Sequence, residues 1–141
     1  MSALPPLTEQ TAALGTKLNG YDRTITRDNV ETFVSLTGET VDSSLVKGEL
    51  SVPTGMLMGL YGPLSHGTFH YEAGVHVSSE LELGRVPRVD EPIRVDGQVL
   101  DLFEKNGHKY VTFSVEVSTA SGERLATVAH TSIYALRAKP A

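Results

Sequence analysis

The sequence predicts an α+β domain in which one antiparallel five-stranded sheet wraps a central helix, with a short N-terminal helix ahead of it. Three observations carry this. A helical period runs through "RDNVETFVSLTG", and "TGMLMGLYGPLSHG" is apolar around most of a helical cylinder. After Gly67 the text alternates as strands do, interrupted by turn residues. A helix that is apolar nearly all round has to be buried, and in a chain of 141 residues the simplest cover for it is the inner face of one sheet.

Each element follows from its residues. Residues 1–16, with Pro5 and Pro6, read as an N-terminal arm, residues 17–136 as a single domain and residues 137–141 as a tail. "KLNGYDRTIT" is strand-like. Thr26 then stands where a helix N-cap belongs, and Asp28 in the first turn suits the positive end of the helix dipole. Val30, Phe33 and Val34 repeat at helical spacing until Gly38 stops the helix. Residues 39–52 are polar and aperiodic. Thr54 can cap the central helix, Gly55 leaves the backbone open at its start, and Pro63 is expected to end or kink it.

The strands come next. "FHYEAGVHVSSELELG" alternates, with Tyr71, Ala73, Val75, Val77, Leu81 and Leu83 mostly on one side. "PIRVDGQVLDLFE" and "KYVTFSVEVST" flank Asn106-Gly107, a strong hairpin signal, with Val111, Phe113, Val115 and Val117 on the inner face of the second strand. "RLATVAHTSIYAL" closes the sheet. Strand, helix, loop, buried helix and four antiparallel strands, in this order, make the hotdog arrangement.

Composition excludes several functions. With 40% hydrophobic and 21% charged residues the chain reads as a soluble globular protein. It has no cysteine, hence no disulfide framework, thiol nucleophile or cysteine-held metal. A net charge of −5 argues against nucleic-acid binding. No apolar run is long enough for a membrane span, and the N-terminus lacks the basic and apolar regions of a secretory signal, so a cytoplasmic location is expected.

Between Asn19 and Leu136 the sequence resembles the MaoC-like (R)-specific enoyl-CoA hydratase/dehydratase family of the hotdog superfamily. The resemblance rests on "RTITRDNVETFVSLTGE", on "VPTGMLMGL" at the start of the central helix, and on the closing hairpin "YVTFSVEVSTASGERLATV". It implies water addition to, or elimination from, an acyl thioester carried on coenzyme A or phosphopantetheine, with no further cofactor. One group must take a proton from water while another supplies one, and the enolate-like thioester oxygen needs fixed donors. In the family an aspartate and a histidine after the first helix do the proton chemistry. This sequence departs there. Glu39 stands at the aspartate position, Val41 and Asp42 replace asparagine and proline, Ser44 falls at the histidine position, and Thr54 replaces a histidine beside the central helix.

The catalytic candidates are therefore Glu39 as acid/base, Gly55 through its amide as oxyanion donor, Asp42 if its loop folds inward, and His70, just after the central helix, as a replacement base. Ser43 and Ser44 have no histidine close in sequence to activate them. Arg85, Arg88 and Arg94 are candidates for the phosphates of the carrier arm. His66 and His70 have helical metal spacing, but Gly67 interrupts it, so His66, His70 and His76 read as surface or rim residues and no metal is expected. His130 and Tyr134 share a strand face, and a core or interface histidine is the reading there.

The resemblance also implies a homodimer, or a heterodimer with a related hotdog chain, which would cover a sheet edge. Three functions stand open: an atypical hydratase or dehydratase, a non-catalytic subunit that binds thioester or pairs with a catalytic homologue, and a hotdog thioesterase. The last is the weakest, because residues 56–65 hold no acid on the central helix.

Overall fold

The computed structural model describes residues 3–38, 45–46, 49–71 and 74–137. In chain order the elements are β1 (Tyr21–Thr24), α1 (Arg27–Thr37), β2 (Leu45–Val46), β3 (Glu49–Leu50), α2 (Thr54–Leu57), α3 (Tyr61–His66), β4 (Val75–Leu83), β5 (Pro92–Lys105), β6 (His108–Thr119) and β7 (Arg124–Ala135). β1, β5, β6, β7 and β4, in that order, form one antiparallel five-stranded sheet. The expected fold is the one observed. The small β2–β3 ladder lies in the stretch read as irregular; with two residue pairs it is too short to show a period.

Local chemistry explains the boundaries. Thr26 and Asn29 form a reciprocal capping box: Asn29 N–H donates to Thr26 Oγ1 at 3.2 Å, and Thr26 N–H donates to Asn29 Oδ1 at 3.0 Å. Gly38 ends α1 at φ 78°. Asn106 and Gly107, at φ 54° and 80°, make the tight turn of the β5–β6 hairpin. Ahead of β1 the chain already follows β5, with Gly15 N–H donating to Val99 O and Leu18 N–H to Gly97 O, both at 2.8 Å. Leu7 and Ala12 of the N-terminal arm are buried in the core.

The central helix is two short pieces rather than one. α2 ends at Leu57 and α3 starts at Tyr61, so the break comes a turn before Pro63. Proline has no N–H, and its ring crowds the carbonyl four residues back, that of Gly59. Gly59 O instead accepts from Gly62 N–H at 3.3 Å, and Leu57 O accepts from Leu60 N–H at 3.3 Å, tighter turns than an α-helix makes. Both pieces still deliver their leucines inward: Leu57, Leu60 and Leu64 are buried with Val95, Val99, Val111, Phe113, Val115 and Val117.

One strand differs from expectation. Val75 and Val77 of β4 are 46% and 49% exposed and do not share the side of Leu81, which packs against the core; Leu83 is in register with Leu81 but 45% exposed at the strand's end. β4 is an edge strand, and its pairing with β7 shifts between His76 and Ser78, so the alternation read through Val77 changes side. Ala73 lies outside the described residues.

Candidate functional site

Of the four catalytic candidates, Glu39 and Asp42 lie outside the described residues, as do Ser43 and Ser44. Gly55 sits in the first turn of α2, where backbone amides have no intrahelical acceptor. It passes under α1 so closely that a Cβ at this position would lie 2.9 Å from Phe33 Cζ. His70 is held by its backbone: its N–H donates to Pro5 O at 2.8 Å and its carbonyl accepts from Leu7 N–H at 3.2 Å. Its side chain is exposed, and the contacts that place it belong to the arm rather than to Gly55.

The three arginines meet different partners. Arg85 forks onto Glu91, with Nη1–Oε1 and Nη2–Oε2 at 2.9 and 2.8 Å, while its Nε donates to Glu123 at 3.0 Å. Arg88 N–H also donates to Glu91, at 3.0 Å. Arg94 reaches Asp96 and Asp22 at 3.3 and 3.4 Å. The Arg88 guanidinium has the loosest partner, Glu49 at 3.9 Å, with 73% of the side chain exposed. A phosphate approaching Arg85 or Arg94 has to compete with two carboxylates, and at Arg88 with one distant one.

The Arg85 fork holds the Glu91 carboxyl at about 2, below its ordinary 4.5. A depressed carboxyl contributes stability above its unfolded value and loses it as pH falls toward the folded one. Glu91→Gln is therefore expected to lower stability by about 1 kcal/mol at neutral pH, since the pair is bidentate but partly solvated. It should also flatten the acid limb of a denaturation series below about pH 4.5, the unfolded carboxyl value.

The structure assembles a second group that sequence reading left scattered. Ser79 on β4 lies opposite His130 on β7, and Tyr61 of α3 stacks on the His130 ring with centroids 3.5 Å apart. Ser79 Oγ is 3.2 Å from His130 Nδ1 and 2.9 Å from His76 Nε2. The His76 and His130 rings stack in turn at 4.8 Å. His130 is 1% exposed, and its Nε2 is buried without a partner among the described residues. Burial first, and then the neighbouring His76, push its pKa down to about 4. Residues three apart in a strand, such as His76 and Ser79, normally face opposite sides; the bulge between His76 and Ser78 brings them together. A bulge leaves no mark on hydropathy, so no signal in the sequence pairs these residues. The reading of His130 as a core histidine agrees with its burial.

Beside this group, Tyr71 OH donates to the buried Ser65 Oγ at 2.8 Å and stacks on His66 at 4.5 Å. Burial raises the Tyr71 pKa. Among the described residues no cluster of three or more metal-ligating side chains occurs.

No protein-family model matches the sequence, and no curated protein does. Solved structures do match the fold. A monoamine oxidase regulatory protein from Archaeoglobus fulgidus superposes with a TM-score of 0.78 at 16% identity, over 99% of this chain and 100% of that one. The HadBC (3R-hydroxyacyl-ACP dehydratase) complex from Mycobacterium tuberculosis gives 0.75 at 13% identity, over 87% and 98%. A MaoC-like dehydratase from Rhodospirillum rubrum gives 0.69 at 13% identity, over 94% and 99%. The chain has the hotdog fold of the MaoC-like dehydratases and (R)-hydratases.

Proposed function

We propose that the chain is a hydratase/dehydratase-type hotdog protein acting on an acyl thioester, adding water to a 2-enoyl group or removing it from a 3-hydroxyacyl group. The observation that supports this is the fold, shared over nearly the full length of solved chains described as dehydratases. In this reading the Gly55 amide receives the thioester oxygen as it gains enolate charge, and Phe33 fixes how closely the helix start can be approached. Glu39 exchanges the proton with water, with Asp42 and His70 as its candidate helpers. Arg88 is the best placed of the three arginines for a coenzyme A or phosphopantetheine phosphate, because its carboxylate partner is the most distant. No helix of the described residues is long and apolar enough to cross a membrane, and a cytoplasmic location goes with this reading.

Hydration of short and medium 2-enoyl-CoA substrates by the purified chain tests the proposal. Glu39→Gln is expected to lower kcat by about 10²-fold or more, the usual effect of losing a general acid/base. Equal activity in the variant would rule out the Glu39 role.

A second reading is favoured by the free edge of β4, where Val75 and Val77 are about half exposed. A homologous chain paired there would complete the site, and one of the fold neighbours is a complex, HadBC. In that case the chain alone hydrates nothing, and activity appears when a catalytic homologue is added. Both readings expect β4 to bind a related chain. In sedimentation velocity, self-pairing predicts a wild-type dimer that Val77→Lys shifts toward monomer, whereas pairing with a homologue predicts a complex on mixing that Val77→Lys weakens. A wild type that forms neither would count against both pairings.

A further inference from the structure

We propose that Ser79 is a nucleophile able to take an acyl group from an activated ester or thioester, with His76 as its base and His130 as the donor that holds its oxygen. This chemistry uses neither Glu39, Asp42 nor Gly55 and goes beyond water addition.

The orphaned nitrogen of His130 sets the proton positions. A neutral imidazole carries one N–H. On Nε2 that hydrogen would be a buried donor with no acceptor, a rare and unfavourable state, whereas on Nδ1 it points at Ser79 Oγ, 3.2 Å away. The Nδ1–H tautomer is therefore favoured, and Ser79 Oγ is the acceptor. The serine has a single proton, and the remaining partner for it is His76 Nε2 at 2.9 Å. Ser79 Oγ thus sits between a base that can remove its proton and a donor that stabilises the resulting alkoxide, which is what an otherwise weak serine nucleophile requires.

The surroundings suit the two histidines to these different tasks. His130 is 1% exposed and clamped by the Tyr61 ring at 3.5 Å, so its donor direction is fixed. The His76 side chain is exposed in the single chain, so protons can exchange there and an acyl group can approach. As the bond from Ser79 Oγ to the carbonyl carbon forms, the hydroxyl proton passes to His76 Nε2. The tetrahedral adduct then expels alkoxide or thiolate, which leaves with that proton as alcohol or thiol. Water repeats the sequence on the acyl-serine, its proton passing through His76, and releases the carboxylic acid and free Ser79. No oxidant or cofactor is needed.

An aryl acetate such as p-nitrophenyl acetate is the probe. The full-length protein is expected to release a burst of nitrophenolate close to one equivalent per chain, with the acetyl group on the peptide that carries Ser79. Ser79→Ala and His76→Gln should each slow the burst by about 10²-fold or more, while Ser78→Ala should leave it unchanged. Acetylation at another residue, including His76 itself, would overturn the proposal. So would a folded wild-type protein left unlabelled at Ser79, a result that depends on no variant.

Discussion

Replacing Gly97 by alanine is expected to destabilise the fold by about 1–3 kcal/mol, the usual effect of overpacking a tight core. Gly97 lies in the middle of β5, where the central helix meets the sheet. A Cβ there would stand 2.8 Å from Ser114 O and 3.1 Å from the Cδ1 atoms of both Leu18 and Leu64. The leucines are side-chain ends and can turn, but the Ser114 carbonyl belongs to the β6 backbone paired with β5 and cannot move without disturbing the ladder. Leu64→Ala, at a fully buried position, should lose about 2–5 kcal/mol through lost burial and the cavity it leaves. The two changes touch the same space, so the double variant should be more stable than the sum of the single effects by about 0.5 kcal/mol or more. Relief stays partial because Ser114 O remains in the way. Urea denaturation of the four proteins reads this cycle directly. Strict additivity would mean that the helix does not approach β5 at Gly97 as described.

How far the sequence foretold the molecule depends on the range of the interaction concerned. α1 was readable because its signals are local: a cap at Thr26, an apolar stripe through Val30 and Val34, and a stop at Gly38. The β5–β6 hairpin was readable from Asn106-Gly107 and the alternation on either side. The central helix was identified by its leucines, but its break was displaced, because Pro63 acts on the carbonyl of Gly59 rather than at its own position. β4 was misjudged because alternation shows which residues share a side only while the register stays regular, and the bulge after His76 resets it. The same bulge hid the His76–Ser79–His130 group, whose members are 51 residues apart in the chain between Ser79 and His130. The loop candidates Glu39 and Asp42 rest on resemblance rather than on a local physical signal, whereas Gly55 combines resemblance with a close approach to Phe33 that the structure describes.

Acidification is expected to remove about 3 kcal/mol of stability through His130 between roughly pH 7 and pH 4. The size follows from the gap between the ordinary value of 6.5 and the folded value of about 4, which is about 2.5, at about 1.4 kcal/mol for each. The sign follows from proton counting. Below about pH 6.5 the unfolded chain binds a proton on this imidazole, while the folded chain refuses it until about pH 4. The unfolded state holds more protons throughout that window, so stability falls as pH falls, and the slope ends once both states are charged. Among the described residues the rings that stack on it, Tyr61 and His76, supply no carboxylate to offset a positive charge. Urea denaturation followed by far-UV circular dichroism at several pH values should show the decline in the wild type. His130→Phe keeps a flat ring for Tyr61 to stack on and removes the titration, so its stability should stay nearly level from pH 7 to about pH 4.5, where the unfolded Glu91 carboxyl begins to bind protons. The Glu91 contribution is then lost at still lower pH in both proteins, which keeps the two groups separable. Parallel curves for wild type and His130→Phe above about pH 4.5 would show that the imidazole is not held neutral by burial, and with that the tautomer assigned beside Ser79 would lose its basis.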